Sequence, residues 1–352
     1  MKNTLPFLIV LCFLFSCGKK ETPLHVKNFK TVEIKTLLKD SLLNVRALEV
    51  DANGFASFAT SDGRIGGISK NAIDEEARLT FQLKEDTIIP NFRALAVTNN
   101  AGFALSISSP ALLYKIDADS LKIVYKENHE KAFYDAMAFW NDQEGIAIGD
   151  PTEDCLSIII TRDGGNTWNK LSCDDLPKAK EGEAAFAASD TNIAIVGDKT
   201  WIATGGKASR ILYSPNKGKT WKAIETPMVQ GLETTGMYSV DFYDANNGFA
   251  IGGDYTKAAD SSANKIRTTD GGKTWQLVAQ NQSPGYRSCV QYVPNSNAKA
   301  LVAIGFKGID YSSDSGNTWK HLSDEGFYTL RFINDSVAYA AGAKRISKLT
   351  FK

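Results

Sequence analysis

The sequence is poor in the side chains that most enzyme chemistry needs. It has three histidines in 352 residues, His25, His129 and His321, and they stand too far apart to share a metal ion. Of its five cysteines, Cys12 and Cys17 fall in the first stretch, which leaves Cys155, Cys173 and Cys289. There is no charge of one sign in excess. Lys+Arg and Asp+Glu number 40 each, so the basic field that nucleic-acid binding needs is missing, and so is an acidic tail. No G-x-S-x-G elbow, H-E-x-x-H pair or dinucleotide-type glycine loop occurs in a fitting context. These absences point away from catalysis, and no cofactor or metal is expected. Past the N-terminus, no apolar run approaches the length of a membrane span.

The N-terminus reads as an address. Lys2 precedes an apolar run from Leu5 to Phe15, too short to cross a bilayer but suited to a signal-peptide core. The run ends in Leu14-Phe15-Ser16-Cys17-Gly18 and resembles a bacterial lipobox. That resemblance implies a signal peptide over residues 1–16, lipid on Cys17 and a polar tether over 17–27. The expected location is the cell envelope, periplasmic or surface-exposed, with lipid as the anchor.

The richest signal is a repeat. The pattern S/T-x-D/N-x-G-x-T-W occurs four times, with Asp163 and Trp168, Asn216 and Trp221, Asp270 and Trp275, and Asp314 and Trp319 at its fixed positions. A period of about 50 residues suits four-stranded propeller blades. The short polar side chain can cap backbone N–H groups two residues on, the glycine supplies a left-handed φ, and the tryptophan packs beneath the turn. The pattern resembles the Asp-box, or BNR, motif of sialidase-like and related propellers, where it has a structural role.

A subtler unit recurs seven times, with innermost-strand starts near 46, 93, 135, 183, 238, 287 and 329. The expectation is an all-β, seven-bladed propeller of four-stranded blades spanning residues 28–352 as one domain. The last unit has three strands of its own. The alternating stretch Lys30–Thr36 is free to supply the fourth and to close the ring. In the first Asp-box hairpin, Ile160 facing Trp168 would set Cys155 opposite Cys173, where an oxidising compartment permits a bridge. A bulge in the turn would shift that register.

Antiparallel blades sort the features by face. Innermost-strand starts and second-strand ends share one face, opposite the Asp-boxes. That face collects Arg46, Arg93, Asp135, Glu183, Tyr238 and Arg287 from the starts, with Asp150, Asp198 and Asp254 from the ends. Polar groups converging on a channel mouth are the default binding site. Two readings are open: the arginines pair with neighbouring acids and fasten blades, or they await a partner's carboxylate. Trp140, Trp201 and Tyr255 are stacking candidates that could equally be packing.

With these residues in view, the chain resembles propellers of the photosystem II stability/assembly-factor type, a broad family with many bacterial lipoprotein members, some labelled oxidoreductases. The resemblance implies a scaffold that binds protein through an arginine patch matched here by Arg46, Arg93 and Arg287. Asp135 and Glu183 depart from that patch. The expected partner is an envelope protein or peptide held by a monomer. The alternatives are a sialidase-like glycoside hydrolase, or capture of a glycan or small carboxylate.

Overall fold

A computed structural model describes residues 27–51, 53–70 and 75–352. Residues 1–16, Cys17 and nearly all of the tether lie outside the described residues. Among the described residues every regular element is a strand, except for one turn of 3-10 helix at Tyr255–Lys257. No helix among the described residues is long and apolar enough to cross a membrane.

The strands form six antiparallel sheets, four of them four-stranded. Two sheets are larger, for distinct reasons. The seven-stranded sheet exists because Val32–Val50 belongs to two four-stranded sets. Its first half pairs with the last strand, Ala343–Phe351, in a register that sets Val32 against Phe351 and Thr36 against Ser347. Its second half pairs with Ala56–Thr60, setting Leu48 against Phe58. The six-stranded sheet is a four-stranded set joined by two short strands, Glu183–Ala184 and Gly205–Gly206. The core lies between neighbouring sets rather than within them. One cluster packs Leu48 and Phe58 against Tyr339 and Ile346, so the last strands of the chain seal against the first.

The four Asp-box turns share one hydrogen-bond plan. In the first, Thr161 Oγ1 accepts the Gly165 N–H (2.9 Å), and Asp163 accepts the backbone N–H of Thr167 (3.0 Å) and its hydroxyl (2.7 Å). Asp270 and Asp314 repeat this with Thr274 and Thr318, and Asn216 with Thr220. The capped N–H is four residues on, not two, because the carboxylate spans the whole turn back to the restarting strand. Gly165 has φ of +75°, and a Cβ there would come within 2.2 Å of the Phe103 ring from the neighbouring sheet. Trp168 and Phe139 pack edge-on and stacked around that same ring. The motif therefore fastens one sheet to the next.

Cys155 and Cys173 form a disulfide, Cα–Cα 5.4 Å, and Cys289 is free and buried. The hairpin pairs Ile160 with Asn169, one residue away from the expected Trp168. Cys155 itself bridges to Lys178, beyond the hairpin.

The fourth unit departs from the repeat. Its innermost strand is Ile193–Val196, followed by Lys199–Ala203, and not a strand beginning at Glu183. The displaced segment, 185–192, leaves its sheet and bonds to the innermost strands of the others. Ala188 and Ala187 carbonyls accept from Arg46 (3.0 Å) and Arg93 (3.1 Å). The Asp190 carboxylate accepts the N–H groups of Leu95 (2.7 Å) and Met137 (3.1 Å). Thr191 donates to Ser239 (2.8 Å), Ser189 to the Ser288 carbonyl (2.6 Å), and Thr329 to the Ser189 carbonyl (2.8 Å). A segment that reaches all of these strands can lie only where they converge. It is a plug, and the small side chains of Ala185, Ala187, Ala188 and Ser189 let it fit. Asp190 sits at φ +58°, a conformation that aspartate tolerates better than most residues.

The same register change moves Asp198. It lies in the tight turn between Ile193–Val196 and Lys199–Ala203, where its carbonyl accepts from Lys217 N (2.7 Å) in the second Asp-box. Asp198 is thus on the Asp-box face and is removed from the expected mouth.

Candidate functional site

The plug turns the expected channel mouth into a cavity with a floor. The cavity has a volume of about 490 Å³, and its floor is Ala184–Ala188 with Arg46 and Arg93. Its walls are aromatic: Phe133, Phe186, Tyr238, Tyr255, Tyr286, Phe306 and Tyr328. Phe186 and Tyr238 stack with centroids 4.0 Å apart, and Tyr286 meets Tyr238 edge-on at 4.8 Å. Tyr255 and Phe306 stay half-exposed at the rim, and Leu232 close by is more exposed still. Asp150 and Glu233 complete the lining on the acidic side.

Local backbone geometry explains which side chains arrive here. Arg46, Arg93 and Tyr238, which line the cavity, and Asp135, which is wholly buried and does not, are each the extra residue of a β-bulge, as the ladder skips from Val45 to Ala47, Phe92 to Ala94, Met237 to Ser239 and Tyr134 to Ala136. A bulge re-aims one side chain without shifting the rest of the strand. Arg287 is not at the equivalent position: it lies two residues before the paired strand Cys289–Tyr292, level with Gly305, and Ser288 and Tyr286 on either side of it line the cavity. Arg287 turns instead to Asp310, which accepts from its Nε and Nη2 at 2.6 Å each, both groups buried. The expected trio of arginines is therefore a pair.

The two readings of the arginines separate residue by residue. Arg287 with Asp310, Arg210 with Glu183 (2.5 Å) and Arg331 with Glu49 (2.5 Å) are paired fasteners. Arg46 and Arg93 have no carboxylate partner among the described residues. Each spends one N–H on a plug carbonyl, Arg93 Nε donates to Asn91, and the Arg46 guanidinium lies 3.9 Å over the Tyr328 ring. Burial opposes the charge on both. Burial, reinforced by the charge of Arg46 and opposed by Asp135, brings Arg93 down to about 10, which leaves it a cation at neutral pH. Asp135 forms no ion pair with them, although its charge and that of Arg93 attract each other. It is wholly buried, and burial with repulsion from Asp150 pushes its pKa well above the usual range against the pull of Arg93.

The remaining expected residues divide likewise. Asp150 and Tyr238 line the cavity, the latter donating its hydroxyl to the Thr234 carbonyl (2.9 Å). Asp254 caps the 3-10 turn that carries Tyr255, accepting from Thr256 N (2.9 Å), and so acts through Tyr255. Glu183 is buried against Arg210. Trp140 donates to Thr200 (2.8 Å), and Trp201 is fully buried and stacked on Phe242 (3.7 Å), so both are packing between sheets. Of the stacking candidates, Tyr255 alone is at the mouth. Sequence reasoning missed Phe133, Tyr286 and Phe306, although an aromatic just before the innermost strand was a readable signal at Phe133, Tyr286 and Tyr328.

Burial raises the Asp150 carboxyl to about 6, and one backbone bond from Ala185 (2.8 Å) offsets only part of this. A carboxyl whose folded pKa exceeds its unfolded value near 3.9 favours the fold while protonated and loses that contribution as pH rises through 6. Asp150→Asn is therefore expected to gain about 1–2 kcal/mol at pH 8 and almost nothing at pH 4. Urea denaturation at the two pH values checks this.

The sequence matches no family model and no curated protein. Solved structures do match. YCF48 bound to D1 peptide superposes with a TM-score of 0.64 at 12% identity, covering 93% of this chain and 99% of that one. RRP9 WD40 repeats give 0.62 at 10% identity over 92% and 100%. This chain is a β-propeller. Virginiamycin B lyase from Staphylococcus aureus, with a TM-score of 0.60 at 12% identity over 92% and 100%, has the same architecture. At such identities the likeness speaks for the fold alone, and function has to be argued from the cavity.

Proposed function

We propose that this propeller is a non-catalytic binding module of the cell envelope, tethered by lipid on Cys17, that grips a protein or peptide partner at its mouth. The observation that carries the reading is the Arg46–Arg93 pair. Two cations without an ion-pair partner on the floor of an aromatic cavity are costly to the fold and suited to an anion. A polypeptide supplies that anion as a side-chain or terminal carboxylate, and guanidinium groups bind it in a forked geometry. The neighbour YCF48, described as bound to D1 peptide, supports peptide as the ligand class. The exposed Leu232, Tyr255 and Phe306 around the rim suit a protein surface.

Capture of a small carboxylate is a second reading, favoured by the size of the cavity. A sialidase-like clamp is disfavoured because Arg287 is committed to Asp310. Affinity capture from detergent-solubilised envelopes separates the first two. A stoichiometric protein retained by the wild type and lost with Arg46→Met/Arg93→Met supports the scaffold. Retention of the same proteins by both baits, or of none, turns the search to small carboxylates.

The ring itself is read as seven blades, closed where Val32–Thr36 pairs with Ser347–Phe351. Deleting residues 28–37 removes that strand and the buried Phe29, and is expected to cost at least about 4 kcal/mol across the whole domain. An unchanged melting transition would show that closure lies elsewhere.

A further inference from the structure

The aromatic cavity does not stand alone. A second cavity of about 580 Å³ opens beside it, and the two share Asp150, Ala184 and Glu233 as a common wall. Together they form one groove with ends of opposite charge. The first end holds the unpaired Arg46 and Arg93. The second is lined by Glu153, Asp154, Glu181 and Glu183, with Lys180 as its one lining cation.

Several of those acids are already satisfied. Asp154 pairs with Lys178 (2.6 Å), Glu183 with Arg210, and Glu181 lies 3.8 Å from Lys207. The ammonium of Lys180 is engaged by Glu225 (2.7 Å). Asp150, Glu153 and Glu233 have no cation partner among the described residues. The acidic end is thus as unbalanced as the basic end, and the imbalance faces the same groove. A ligand that neutralised only one end would leave the other uncompensated.

We infer that the groove takes the end of a polypeptide in one direction, with its terminal carboxylate on Arg46 and Arg93 and a lysine or arginine a few residues upstream against Asp150, Glu153 and Glu233. This rests on the partner-binding reading above and adds the chemistry of the partner. The last side chain lies against Tyr238, Tyr286 and Phe306, so an apolar or aromatic residue fits there. Cavities of this size are about 8–10 Å across, a span that an extended chain covers in about three residues. The basic residue therefore falls two to four positions before the end. An acidic residue at that position is repelled, which gives the groove a means of rejecting chain ends with the opposite charge order.

The test uses the full chain in detergent and fluorescein-labelled hexapeptides ending in phenylalanine. One peptide carries lysine three residues before the end, and two others carry alanine or glutamate there. A fourth repeats the lysine peptide with an amidated terminus. The lysine peptide is expected to bind about tenfold more tightly than the alanine peptide, with the glutamate peptide weakest. In Glu153→Gln/Glu233→Gln, whose altered side chains are both exposed, that preference is expected to shrink to about twofold. If the lysine and glutamate peptides bind equally while the amide does not bind, the acidic trough is overturned and the partner-binding reading stands. If the amide binds as well as the acid, or no peptide binds, the reading beneath it fails and the trough with it.

Discussion

Asp190→Ala is expected to destabilise the propeller by about 3–5 kcal/mol, although Asp190 belongs to no sheet. Its carboxylate accepts the backbone N–H groups of Leu95 and Met137, which lie in two different sheets, and the site is buried. Alanine would leave both donors unpaired away from water, at about 1–3 kcal/mol each. It would also loosen the contact made by Arg331, whose Nη2 donates to the Asp190 carbonyl at 3.0 Å. Asp190→Asn keeps one side-chain oxygen for one donor and is expected to lose about half as much. Urea denaturation followed by tryptophan fluorescence reads both variants. A loss under about 1 kcal/mol for the alanine variant would mean that the plug is filler and not a hub.

Arg46→Met/Arg93→Met is expected to weaken a carboxylate-bearing partner by at least about a hundredfold. Forked, partly desolvated guanidinium–carboxylate contacts carry a large share of binding energy where they occur, and truncating one side commonly costs 2–5 kcal/mol. The cavity offers no other cation to take over the role. Arg46→Lys/Arg93→Lys keeps the charge and loses the fork, so it should fall between wild type and the methionine variant. Titration of a peptide with a free carboxylate against the three proteins orders them.

Much of the architecture was legible because it repeats. Four Asp-boxes carry the turn chemistry in their own eight residues, and Val32–Thr36 alternates as a strand awaiting a partner. The positions that became bulges were legible too, since Arg46, Arg93, Asp135 and Tyr238 break the small-residue pattern of their strands. What broke the repeat was not legible. Residues 183–187 have the composition of an innermost strand, and their departure to the centre is fixed by partners on six other strands that no local pattern reveals. That departure displaced Asp198 to the other face. The fate of Arg287 was hidden for a similar reason. The sequence pattern aligns it with Arg46 and Arg93, but in the fold it falls one residue short of their position, which Ser288 occupies, and it meets Asp310, 23 positions along the chain.

If Arg46 and Arg93 are kept for a ligand and not for the fold, one ligand-free measurement shows it directly. It is the unfolding free energy of Arg46→Met/Arg93→Met against wild type at pH 7. Removing two partly buried cations that have no ion-pair partner offsets the loss of their bonds to the Ala187 and Ala188 carbonyls. The expected result lies between no change and a gain of about 2 kcal/mol. A loss of about 3 kcal/mol or more would show that the two arginines are fasteners like Arg287, and the mouth would lose its claim to be the binding site.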